Sequence, residues 1–217
     1  MSESGYAESG YAHRRAVHQE AVDGFGTVRV LPLDPERDAP AVHGWVSAER
    51  AVFWGMTGVD RRGVTEIYAH MESLDTHHAY LVVKDNTPVA LFQTYEPDAD
   101  RVGACYEVRP GDIGVHLLVA PAGPGGVRPG WGAALMSVLL GFALLTLDRQ
   151  RIVVDPDTRN QKALARMVRS GFTPGPVVLL PEIDLPDVYL PEKRAQLAFL
   201  ERRTAFPEAA AQAPARR

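Results

Sequence analysis

The run Trp131 to Leu147 carries no charged side chain and is apolar nearly all round. A helix of that composition is buried on several sides, so it is the element around which a fold has to be arranged. It follows a loop rich in Gly and Pro, 122–129, and opens on Gly130-Trp131-Gly132-Ala133. Apolar stretches that read as strands flank it, Gly111 to Val119, stopping at Pro121, and Arg151 to Val154. Its continuous apolar part, Ala133 to Leu147, is too short to span a bilayer.

Around this centre the periodicity predicts a mixed order of elements. Phe25 to Leu33 alternates and ends at Asp34-Pro35, a strand leading into a helix start. Helical spacing follows over Ala39 to Arg50 and Val64 to Leu74, the second marked by Ile67, Met71 and Leu74. His78 to Lys84 and Val89 to Tyr95 read as two strands joined by the turn Asp85-Asn86-Thr87-Pro88, an antiparallel hairpin. Beyond the central helix come the strand Arg151 to Val154, a helix from Asn160 to Ser170 closed by Gly171, and a strand Val177 to Leu180. Val188 to Phe206 reads as a strand turning into a helix. This is an α+β domain, not a regular doubly wound sheet. Its expected span is 25–206, with a mobile leader over 1–24 containing the duplication Glu-Ser-Gly-Tyr-Ala (Glu3 to Ala7, Glu8 to Ala12), and a disordered tail over 207–217.

Composition narrows the partners. A chain of 217 residues with 46% apolar content can bury a core without staples, and a net charge of −4 offers no field for phosphate backbones. Nucleic acid is therefore not an expected partner. The single cysteine, Cys105, permits no internal disulfide, and no Cys-based metal site is supported; His77-His78 has no matching ligand cluster and reads as a strand start. With no signal-peptide pattern and no membrane anchor, the expected location is cytoplasmic.

The chemistry-bearing residues sit around the central helix. Backbone N–H groups of Gly130, Gly132 and Ala133 at a helix start favour an anion such as a pyrophosphate, although Gly-x-Gly alone is equally a tight turn with no ligand. The turn lacks the three-glycine dinucleotide fingerprint and the Lys of a nucleotide P-loop. His116 lies on the strand before the helix and Asp155 at the end of the strand after it. His116 is either a general base or a core histidine, and Asp155 either a catalytic carboxylate or a helix cap; Asp157, nearer the next helix, is the better cap.

The order strand, Gly-x-Gly turn, long apolar helix, short strand, then Asn160-x-x-Ala163 before Gly171-Phe172 resembles the GNAT acyl-CoA N-acyltransferase family. The closer resemblance is to its siderophore branch, which builds hydroxamates. It is carried by Phe53-Trp54-Gly55-Met56, Phe92-Gln93-Thr94-Tyr95 with Asp100, Asp112-Ile113-Gly114-Val115-His116, Asp155-Pro156-Asp157-Thr158-Arg159-Asn160 and Leu190-Pro191-Glu192-Lys193-Arg194-Ala195. The Phe-Gln-Thr-Tyr form looks most like the acyltransferases of the desferrioxamine pathway, whose acceptor is N-hydroxycadaverine.

That resemblance implies a GNAT fold, in which the fourth and fifth strands of a mixed sheet splay apart to admit the pantetheine arm of acyl-CoA. Acetyl- or succinyl-CoA is then the co-substrate, with no metal. His116 and Asp155 fall on the catalytic pair. Leu117, Leu118 and Val119 would meet pantetheine with their backbone, while Arg128, Gly130, Trp131, Gly132, Ala133 and Asn160 complete the CoA site. Trp54, Met56, Gln93, Tyr95 and Asp157 are expected to face the acceptor. A hydroxylamine nitrogen is mostly neutral near pH 7, so a base of the imidazole type need only take the proton released on attack. No nucleophile is placed for a covalent acyl-enzyme, and transfer is expected to be direct. The partner is a small amine or hydroxylamine, and the pathway implies a siderophore synthetase and an amine monooxygenase acting beside this chain. Departures are Val127, where many members carry Gln or Arg, Pro129, which removes one N–H, and Gln93, where some relatives carry glutamate. Two alternatives share the fold: a lysine ε-amine, N6-hydroxylysine or aminoglycoside acceptor, or a non-catalytic acyl-CoA-binding module. Lys193-Arg194 and Arg202-Arg203 read as a solvated helix face.

Overall fold

The computed structural model describes residues 9–123, 126, 128–185 and 188–208. These form two compact units, one built from the chain up to Thr94 together with His116–Leu139, the other from Tyr95–Val115 together with the chain from Leu140.

The first unit contains α1 (Ser9–Ala12), β1 (His18–Val22), β2 (Gly26–Pro32), α2 (Pro35–Val46), a 3-10 turn over Glu49–Trp54, α3 (Arg61–Glu72), β3 (His77–Lys84) and β4 (Thr87–Tyr95). It also takes the second half of β5 (Asp112–Val119), and its strands run in the order β1-β2-β3-β4-β5. β1 with β2 and β2 with β3 are antiparallel. The β3–β4 turn is the one expected: Asp85 and Asn86 have φ of 47° and 64°, the type I′ geometry whose twist matches a tight hairpin. Leu31, Val46, Val64, Leu81 and Val83 are buried together at the centre of this unit. α2 starts earlier than the expected Ala39, because Asp34 caps it by accepting from Arg37 N at 3.0 Å and Pro35 suits the first turn, where no N–H is needed.

The leader expected over 1–24 is folded from Ser9 onward, while residues 1–8 lie outside the described residues. The cause is a buried charge. Asp38 on α2 is 0% exposed and needs a cation; Arg14 Nη1 donates to both its oxygens, at 2.7 and 2.9 Å. The same guanidinium donates to Pro32 O, and Arg29 donates to Tyr11 O at 2.8 Å, so α1 and the approach to β1 are tied to the sheet. Pairing across 24 positions leaves no periodic trace in the sequence.

The second unit contains the first half of β5, β6 (Arg151–Val154), α5 (Gln161–Arg169), β7 (Thr173–Leu180), β8 (Ile183–Leu185), β9 (Val188–Leu190), β10 (Lys193–Glu201) and α6 (Arg202–Ala205). Its order is β5-β6-β10-β7, with β8 and β9 a separate pair. β5 and β6 are parallel, and β10 is antiparallel to both of its neighbours. The apolar helix, α4 (Trp131–Gly141), runs into this unit and widens into a π-turn over Phe142–Thr146, where Leu147 N donates to Phe142 O at 2.9 Å.

Two expectations here are corrected. Ala195 to Leu200, read as turning into a helix, is the strand β10, set between β6 and β7; a short apolar run buried on both faces has no period that separates strand from helix. β7 begins at Thr173, ahead of the expected Val177, and carries Pro174 and Pro176; prolines are tolerated because it is the last strand of the sheet. Of the tail expected over 207–217, residues 209–217 lie outside the described residues. Among the described residues no helix is long and apolar enough to cross a membrane.

Replacing Arg14 by Ala should cost about 3 kcal/mol, because it strips the cation from a buried carboxylate. Urea unfolding of the variant measures it, and a loss below about 1 kcal/mol would show that the segment before β1 is not held by this pair.

Candidate active site

The strand carrying His116 is fixed at its start. The parallel ladder between β5 and β6 has three register pairs, Asp112–Arg151, Ile113–Ile152 and Gly114–Val153, while β5 runs on to Val119. Its first pair is a buried ion pair: Arg151 Nε donates to Asp112 Oδ1 at 2.7 Å and Nη2 to Oδ2 at 2.6 Å. Burial works to raise the Asp112 carboxyl, but Arg151, the Arg109 N–H and the Tyr106 hydroxyl outweigh it and hold it below the usual carboxylate range. At the third pair Gly114 is required, since a Cβ there would stand 2.1 Å from the ring of Tyr95.

In the first unit, His116 is half-buried with the Trp54 ring edge-on at 6.2 Å. Trp54 Nε1 donates to Tyr68 Oη at 3.3 Å, and Gln93 Nε2 donates to the same oxygen at 3.3 Å. Tyr68 is 2% exposed, and burial pushes its phenol well above the ordinary value. Met56 is half-buried against the same core. Thus Trp54 and Gln93 are joined through Tyr68, a residue not among the expected site residues, and His116 stands beside the Trp54 ring. Tyr68 lies one helical turn beyond Val64 on the buried face of α3, where an aromatic reads as ordinary core. Of the backbone groups expected to meet pantetheine, Val119 O accepts from Arg50 at 2.8 Å; Leu118 is buried and Leu117 half-buried.

The Gly-x-Gly turn is also in this unit. Gly130 has φ +81°, a conformation glycine adopts without strain, and Ala134 N donates to its carbonyl at 3.0 Å, so α4 starts on a residue with no side chain to cap it. The first-turn N–H groups of Gly132 and Ala133 therefore have neither an intrahelical nor a side-chain acceptor from the cap position. A Cβ built on Gly130 or on Gly132 meets nothing within 4 Å. The protein's own packing does not ask for glycine at 132, and the space beside it suits an anion's approach. Trp131 packs edge-on to Phe25 at 5.8 Å, and Arg128 is exposed next to the turn.

The second unit holds Asp155, 4% exposed. Tyr95 donates its hydroxyl to Asp155 Oδ1 at 3.3 Å, and Lys193 Nζ donates to Oδ2 at 2.6 Å. Tyr95, expected to face the acceptor, is itself only 3% exposed; burial, and then the Asp155 charge, hold its phenol well above the ordinary value. Lys193 corrects the solvated-face expectation, for it starts a strand and its ammonium reaches a buried carboxylate. Asp157 is corrected as well. α5 begins at Gln161, and the cap is Asn160, whose Oδ1 accepts from Ala163 N at 3.1 Å. Asp157 lies too early to reach that turn and instead accepts from Arg159 N at 2.8 Å, Nε at 2.9 Å and Nη2 at 2.7 Å. The Arg159 guanidinium holds its carboxyl below the usual range. The side-chain oxygens of Asn160 and Asp157 thus serve the local frame. Among the described residues no group of His, Cys, Asp or Glu is placed to hold a metal ion, and Cys105 donates to Arg101 O and Leu179 O.

Residues 34–180 match the acetyltransferase (GNAT) domain family. The N(6)-hydroxylysine O-acetyltransferase of Escherichia coli is 29% identical over 186 residues, 81% of this chain and 52% of that protein, so the chain spans about half the length of that relative. A protein from Bacillus halodurans described as uncharacterised superposes with a TM-score of 0.70 at 19% identity, over 88% of this chain and 94% of its own. An aminoglycoside acetyltransferase in complex with coenzyme A and kanamycin gives 0.64 at 19% identity, over 84% and 99%. At these identities the two structures attest the fold, and the expected mixed sheet flanked by helices is the one found.

Asp112→Asn should destabilise the protein by about 3 kcal/mol at pH 7, since it leaves Arg151 buried without its counter-charge. The folded carboxyl is depressed, so the stability it contributes is present above the ordinary carboxylate pKa and lost as pH falls through its lowered value. The gap between parent and variant should accordingly narrow below about pH 4. Urea midpoints measured across that range test it, and a gap independent of pH would exclude the ionised pair.

Proposed function

Because the chain belongs to the GNAT acetyltransferase family, we propose that it moves an acyl group, acetyl or succinyl, from CoA to the hydroxylamine nitrogen of an N-hydroxylated diamine such as N-hydroxycadaverine. The product is a hydroxamate of the kind used in iron-chelating siderophores. The observation that carries the reading is a helix start on Gly130, which has no side chain to cap it, with nothing among the described residues within 4 Å of a Cβ placed on Gly132, in the same unit as His116 and its Trp54 and Gln93 neighbours. Helix N–H groups and the helix dipole suit the CoA diphosphate, and exposed Arg128 adds a cation beside them.

In this reading the acceptor nitrogen attacks the thioester carbonyl, His116 takes the N–H proton, and the C–S bond breaks to release the CoA thiolate, which takes up a proton from solvent to give the free thiol. The Leu118 N–H is the proposed donor to the oxyanion, and the remaining backbone groups of Leu117 to Val119 pair with pantetheine as an added strand would. Trp54, Met56 and Gln93 face the acceptor. Asp155 is the carboxylate of the reaction, with Tyr95 its hydrogen-bond partner. The Escherichia coli relative is named for an N-hydroxylated amine, which supports a hydroxylamine acceptor.

Free-thiol release from acetyl-CoA or succinyl-CoA tests this directly. N-hydroxycadaverine should outpace cadaverine and lysine near neutrality, where an unhydroxylated amine is mostly protonated; equal rates would discard the hydroxylamine acceptor. His116→Ala should lower kcat by about a hundredfold while acyl-CoA affinity holds, and an unchanged kcat removes His116 from the mechanism. Gly132→Val should do the reverse, weakening CoA binding by about tenfold, roughly 1.4 kcal/mol. Unchanged affinity by calorimetry would mean that the turn holds no diphosphate.

A further inference from the structure

We propose that Lys193 is a positioning residue for acyl transfer, acting through Asp155. It rests on the reading of Asp155 given above. Beyond the end of β6 the chain stays on β10, through Gln196 N to Pro156 O at 3.0 Å, Thr158 N to Arg194 O at 3.0 Å, and a bridge between Asp157 and Ala195. That register places Asp155, Asp157, Lys193 and Ala195 on one face, because alternate strand residues share a side. The carboxylate nearer to Lys193 along the ladder is Asp157, yet its oxygens are already taken by Arg159. Lys193 passes over Ala195, fully buried and too small to obstruct it, and reaches Asp155.

The consequence is a carboxylate fixed at both ends. Oδ2 faces the ammonium at 2.6 Å and Oδ1 the Tyr95 hydroxyl at 3.3 Å, so the plane of the carboxyl group is set. A carboxylate this buried is costly without a cation, and the Lys193 ammonium supplies one. Holding a long lysine stem in one conformer costs side-chain entropy, and the ion pair with a buried group offsets that cost. Two carboxylates and two cations are therefore matched pairwise on this face, Asp157 with Arg159 and Asp155 with Lys193.

The test uses the full chain, acetyl-CoA and N-hydroxycadaverine. Lys193→Met should lower kcat by at least about tenfold, with the KM for acetyl-CoA within about twofold of the parent. Lys193→Arg, which keeps the charge, should recover most of the loss, as a purely structural role would not require. The double variant Lys193→Met with Asp155→Asn should be no slower than the slower single, because both act through one group. If Lys193→Met fails to fold, Lys193→Gln carries the same expectation. A kcat within about twofold of the parent, no recovery with Arg, or multiplying losses in the double variant would each overturn the proposal. No thiol release by the unaltered chain with any acyl-CoA and acceptor overturns the acyl-transfer reading itself, and this proposal with it.

Discussion

A buried ion pair, Asp112 with Arg151, holds the parallel join from which the chemistry-bearing segments extend. The ladder it opens is only three register pairs long, too short for backbone hydrogen bonds alone to make it stiff. Arg151 is clamped further by the rings of Tyr106 and Phe199, 5.7 and 4.8 Å from the guanidinium carbon. His116 and Asp155 each follow a member of this pair by four residues along their own strands. Asp155, in the same unit as the pair, thus stands a short distance along the chain from an anchored residue. Gly114 completes the join, because only a residue without a side chain lets the Tyr95 ring lie against β5.

The other buried carboxylates repeat the principle of the first. Asp38 is matched by Arg14, Asp155 by Lys193 and Asp157 by Arg159. A buried charge without a partner is strongly unfavourable, so each match dictates where a segment of chain must lie. Arg14 draws the residues before β1 onto the sheet, and Lys193 fixes the start of β10 relative to the loop after β6. Only Asp157 finds its cation locally, two residues along the chain.

Much of the fold was legible from the residues. The Asp85-Asn86 turn, the strands around it, the strands β5 and β6 taken singly, the apolar helix and the closure of α5 at Gly171 all rest on short-range signals, whereas the parallel pairing of β5 with β6 joins residues far apart in the chain. Turn chemistry, side-chain alternation and helix caps act within a few residues. The same locality explains the failures. β10 is apolar on both faces and has no distinguishing period, prolines concealed the start of β7, and Asp157 resembled a cap although Asn160 stands closer to the helix. At the candidate site, His116, Asp155 and the Gly130 to Ala133 turn were visible as residue types in order. Tyr68 was not, because an aromatic on the buried face of a helix carries no mark of the two N–H groups it will accept.

Order, turn types, the central helix and the identity of the chemical groups are properties of the chain read along its length, since they follow from backbone preference and side-chain spacing. Folding in three dimensions decided the partners. Lys193 became the counter-ion of Asp155, Tyr95 its hydrogen-bond donor and Arg14 the anchor of the N-terminal segment. The reason is physical: desolvating a charge or a hydroxyl requires a matching group within hydrogen-bond reach. Which group arrives depends on strand register and packing between residues far apart in sequence.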